Sequence, residues 1–147
     1  MGLWFNPYTG ELKWISSPGE AIKAMKEHWE FVASKHICLY YKFYSLKDKD
    51  GNYKVVSIPI DSRLNECISS FKSIEEWNTF IKKISLVSQV CWKWDDRFRA
   101  LRDPGYLCKR IERYLKQKKK LDLEILDLLP ESKHKDHLLR LAIALQI

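Results

Sequence analysis

The stretch Ile37–Ile60, ICLYYKFYSLKDKDGNYKVVSIPI, decides the β part of the fold. Ile37, Leu39, Tyr41 and Phe43 fall on alternate positions, the period at which side chains of a strand share one face. After Ser45 the polar run Lys47-Asp48-Lys49-Asp50-Gly51-Asn52 supplies a turn, and Tyr53 to Ile60 forms a second run rich in β-branched residues. Two such runs around a Gly-containing turn specify a β-hairpin. Pro59 has no N–H to give a ladder, so it marks the end of its strand or an edge.

Toward the N-terminus a second hairpin is expected over residues 3–15. Leu3-Trp4-Phe5 and Leu12, Trp14, Ile15 form its arms, and Asn6-Pro7-Tyr8-Thr9-Gly10 forms its turn. Ser17-Pro18-Gly19-Glu20 then reads as a capping box, with the Ser17 hydroxyl placed to accept from the first turn and proline where its missing N–H is harmless. The helix that it opens is expected from about Pro18 to Ser34, with Ile22, Met25, Trp29 and Val32 inward.

Toward the C-terminus, Ser73-Ile74-Glu75-Glu76 repeats the capping box and opens a helix to about Val90 along Trp77, Phe80, Ile84 and Val87. Asp103-Pro104 caps a third, from 104 to about 119, with Leu107, Ile111, Tyr114 and Leu115 inward. Leu121–Leu129 is expected to be helical, with a strand as the alternative. Pro130 breaks it, and a last helix runs from Ser132 to Leu145 with Leu138, Leu141, Ala142 and Leu145 inward.

The expected fold is therefore α+β. A small antiparallel sheet from the two hairpins is packed by helices at 18–34 and 74–90, followed by a helical C-terminal third. With 147 residues, 46% of them apolar, and only five glycines and five prolines, the chain is expected to form one compact domain, 1–147. No window reaches the roughly 18 consecutive apolar residues of a membrane-spanning helix, and no basic region precedes an apolar signal core. Cys38, Cys67, Cys91 and Cys108 lie far apart, as free thiols would. An intracellular protein, cytoplasmic or nuclear, in a reducing compartment is the expectation. Gly2 is read as an ordinary second residue, because Asn6, followed by Pro7, stands where a myristoylation motif needs Ser or Thr.

The chain carries 26 Lys and Arg against 19 Asp and Glu, a net charge of +7. The excess is local. Between Lys93 and Lys120, eleven basic residues (Lys93, Arg97, Arg99, Arg102, Lys109, Arg110, Arg113, Lys116, Lys118, Lys119 and Lys120) face four acids, Asp95, Asp96, Asp103 and Glu112, and the rest of the chain balances. On a helix Lys109, Arg113, Lys116 and Lys120 recur at steps of four, three and four, opposite the Leu107–Ile111–Tyr114 stripe. Trp92 and Trp94, with Phe98 and Tyr106, add ring faces beside them. Cations that neutralise phosphates, next to aromatics on which bases stack, are the chemistry of nucleic-acid binding. The candidate polyanion site is thus Arg97, Arg99, Arg102, Lys109, Arg110, Arg113, Lys116, Lys119 and Lys120 with Trp92 and Trp94. The alternatives are an accessory adaptor or inhibitor that occludes an acidic protein partner, and peripheral binding to an anionic membrane. The C-terminal helix, apolar on more than one side, could serve the first by docking, or could pair copies of the chain.

No catalytic residue and no cofactor or metal is expected. The glycines form no phosphate-cradling loop, and adjacent acids such as Glu75-Glu76 and Asp95-Asp96 point about 100° apart on a helix. Asp48, Asp50 and Gly51 fall short of a calcium loop, because Leu46 takes its first ligand position and Ser57 its last. His134 and His137 share a helix face without a close third ligand. A zinc-finger spacing, an RNP sequence and leucine-zipper heptads are all missing.

Overall fold

The computed structural model describes residues 1–117 and 119–146, and its contacts divide it into two compact units, Met1–Asn78 and Thr79–Ile147. The class is α+β, with the strands in the first unit and helices throughout the second.

In the first unit, β1 (Gly2–Phe5) and β2 (Leu12–Ile15) form the expected hairpin. Asn6 holds its turn by accepting from the Tyr8 and Thr9 N–H groups, and Gly10 closes it at φ +76°. A side chain at Gly10 would enter the Tyr53 ring at 2.5 Å, so both backbone and packing require glycine there. The capping box also forms, with Ser17 Oγ accepting from the Glu20 N–H at 3.2 Å.

The helix it opens is shorter than expected. α1 (Pro18–Lys26) stops, and residues 30–34 become a strand, β3 (Glu30–Ser34), antiparallel to β1. The reason lies at His28, which adopts φ +68°. The Trp29 N–H reaches back to the Ala24 carbonyl at 2.9 Å and the His28 N–H to Met25 at 3.2 Å, the paired bonds of a Schellman closure. That closure usually carries glycine; here histidine hides it. Ile22 and Met25, expected inward, are exposed, and Ala24 is the buried residue of α1.

A single helical turn, α2 (Lys35–Cys38), capped by Ser34, replaces the expected start of the next strand. Ile37 and Leu39 consequently leave the sheet and stand exposed. β4 (Tyr41–Lys47) pairs with β5 (Tyr53–Pro59), which ends at its proline as expected. The Asp48 carboxylate turns the connection by accepting from the Asp50 and Asn52 N–H groups, both at 2.9 Å. The two hairpins lie in separate sheets, ordered β2-β1-β3 and β4-β5.

The helix α3 (Ile74–Val87) begins at Ser73, whose hydroxyl accepts from Glu76 N–H at 3.2 Å, and ends three residues before the expected Val90. In the second unit follow α4 (Trp94–Arg102), α5 (Pro104–Lys116), a 3-10 segment (Leu123–Leu128) and α6 (Lys133–Gln146). The helix α4 was not anticipated. Asp103 alone joins it to α5, and its carboxylate accepts from the Tyr106 N–H at 3.2 Å, as the sequence indicates. The core of this unit brings together Val87, Cys91, Leu107, Ile111, Leu115, Ile125, Leu138 and Ala142, all nearly or fully buried. Leu138 and Ala142 thus place α6 in the core, while Leu139 and Ile143 face outward. All four cysteines are free. Among the described residues, no helix is long and apolar enough to cross a membrane.

Candidate functional site

The site grows out of one packing requirement. α5 buries Leu107, Ile111 and Leu115 at 1% exposure or less, so the helix cannot rotate, and Lys109, Arg113 and Lys116 are held on its exposed side. The expected fourth member of the row does not join it. α5 closes at Gln117, whose N–H bonds back to Arg113 and Tyr114, and Leu121 returns to the core. Lys119 and Lys120 therefore sit on the exposed connection after the helix, and Lys118 lies outside the described residues.

One acid interrupts the row. Lys116 Nζ lies 3.0 Å from Glu112, and His134 of α6 approaches the same carboxylate at 3.7 Å. The Lys116 hydrogen bond and charge, then His134, hold the Glu112 carboxyl below its ordinary range. Glu112, Lys109, Arg113 and Lys116 share a shallow surface depression.

The arginines of the candidate set divide by what their guanidinium groups touch. Arg97 Nε donates to the Cys91 carbonyl at 3.1 Å, with its guanidinium 4.5 Å from the Trp94 ring. Arg110 Nε donates to the adjacent carbonyl, Val90, at 3.0 Å. Arg99 lies 4.1 Å from the Tyr106 centroid, and Arg110 also approaches that ring, at 5.9 Å. Burial pushes the Tyr106 hydroxyl up, away from ionisation. Arg102 is exposed at the end of α4. Trp94 stacks on Phe98 with centroids 5.9 Å apart, half-buried.

Trp92 is placed quite differently. It is 87% exposed, immediately after the buried Cys91, and is among the residues that line a concavity of about 300 Å³. Arg110, Arg113, Tyr114 and Lys119 line that concavity with it, and among the described residues no carboxylate does. Lys119 Nζ stands 5.4 Å from the Tyr114 ring. Gln89 braces the wall: its amide accepts from the Asp122 N–H at 2.7 Å and donates to Leu86 at 3.0 Å.

Sequence reasoning named the cations and Trp92 but missed both α4 and the pocket. The signal for α4 was present, in Asp95 and Asp96 at its first turn and Arg99 and Arg102 at its last, each favourable to the helix dipole. The pocket had none, because it joins residues 88–92 to Arg110, Arg113, Tyr114, Gln117 and Lys119.

Among the described residues no three His, Cys, Asp or Glu side chains converge as a metal site. No protein-family model, curated protein or solved structure matches this chain.

Proposed function

We propose that the second unit binds a polyanion, nucleic acid foremost, without catalysing a reaction. The observation that carries this reading is the locked row Lys109, Arg113 and Lys116, turned outward by a helix whose opposite side is fully buried. Cations spaced along one side of a rigid helix, with Lys116 shared with Glu112, match the regular charge of a phosphate backbone better than lysines on a loop. Arg102, Lys119 and Lys120 extend the same charge beyond the helix.

Reversing the row tests it. In K109E/R113E/K116E the helix keeps its buried residues, so the melting temperature stays close to that of the parent chain. Affinity for a labelled oligonucleotide is expected to collapse. Unchanged affinity would remove α5 from the interface. Equal displacement of the oligonucleotide by an acidic polypeptide at matched charge would shift the reading to an acidic protein partner.

A further inference from the structure

We propose that the concavity beside α5 is a base-stacking subsite, and that the polyanion it takes is single-stranded nucleic acid. The inference rests on the polyanion reading above and narrows it. Its first support is the exposure of Trp92, an aromatic of large area that folding normally covers. Cys91 before it is buried, and the carbonyls of Val90 and Cys91 are each held by an arginine Nε–H, so the backbone that leads into Trp92 is anchored.

The second support is the composition of the wall. Arg110, Arg113 and Lys119 contribute cations, Tyr114 a second ring, and none of the described residues that line it is a carboxylate. The concavity between α1 and its neighbouring strands makes the contrast, since Lys13 and Lys23 there are matched by Glu20 and Glu27. A volume of about 300 Å³ is at the small end of ligand sites, the scale of one nucleotide. An unpaired base can lay its face on Trp92 while the flanking phosphates meet Arg113 and Lys119. A duplex cannot, because its bases are already stacked and paired.

The test compares a short oligothymidylate with a blunt duplex carrying the same number of phosphates, using the full chain and its W92A and W92F variants. The single strand is expected to bind more tightly than the duplex and to change the tryptophan fluorescence. W92A is expected to weaken single-strand binding about fivefold to a hundredfold, the range of one base–aromatic stack, and to leave duplex binding unchanged. W92F should retain most of the affinity, and at 87% exposure neither change should disturb folding. Equal binding of both nucleic acids, unaltered in W92A, would overturn the stacking subsite while leaving the polyanion reading intact. Absence of salt-sensitive binding to either would instead overturn the polyanion reading, and the subsite with it.

Discussion

Arg110 reaches back twenty residues to donate its Nε–H to the carbonyl of Val90 at 3.0 Å. Val90 is buried and its bond to Arg110 is partly so, and the arginine joins α5 to the segment that carries Trp92. Arg97 does the same from α4 for Cys91. Two of the candidate cations therefore hold the site's shape as well as contributing charge.

Arg110→Ala should destabilise the chain by about 1–1.5 kcal/mol, the net contribution of a partly buried hydrogen bond. Denaturant unfolding measures it. If Arg110 served only as a surface charge, the loss would stay within about 0.5 kcal/mol.

At His28 the expected change has the opposite sign. A non-glycine residue at φ +68° is strained, by roughly 1–2 kcal/mol in the left-handed region. Glycine relieves that strain but loosens the unfolded chain, so His28→Gly should be more stable than His28→Ala by about 1 kcal/mol. Equal stability of the two variants would mean that the Schellman closure of α1 is not the folded conformation.

The C-terminal helix is tested by a pair of substitutions five residues apart. Leu138 is 0% exposed and Ile143 is 50% exposed on the same helix. Leu138→Asp places a charge in the core without a partner and should cost more than about 3 kcal/mol. Ile143→Asp should cost less than about 1 kcal/mol. A retained melting temperature in Leu138→Asp would turn α6 into a docking element.

The thiols give a pH dependence with a definite sign. Burial pushes Cys91 and Cys108 up, and for Cys91 it outweighs the pull of Arg110. Their folded pKa values lie above the unfolded thiol value of about 8.5, so the stabilisation is complete below that pH and is lost as pH rises through the folded values. Thiolate absorbance should appear at higher pH in the native chain than in the denatured one. Coincident titrations would contradict the burial of both side chains.

What the sequence revealed depended on how local the signal was. Ser17, Ser73 and Asp103 announce helix starts because the cap and the N–H it satisfies are three residues apart. Pro59 announces a strand end for the same reason. The end of α1 was hidden because His28 does what glycine ordinarily does, and the three-residue spacing of Trp29 and Val32 fits the face of a continuing helix. Ile37 and Leu39 alternate like strand residues, yet Ser34 caps a helical turn beneath them. The cations of the candidate site were legible as composition. Their division into those that grip carbonyls and those that face solvent was not, since Arg110 and Val90 meet only through the fold.

The central claim is that outward cations of α5 bind phosphates, and the salt dependence of oligonucleotide affinity tests it most directly. Each phosphate contact lowers the logarithmic slope by about 0.7 to 0.9, so Lys109, Arg113 and Lys116 together imply a slope near −2 or steeper. The triple reversal should flatten it by about 2 or more, leaving at most the shallow slope of Arg102, Lys119 and Lys120. A slope near zero for the parent chain, or one left unaltered by the reversal, would contradict the account.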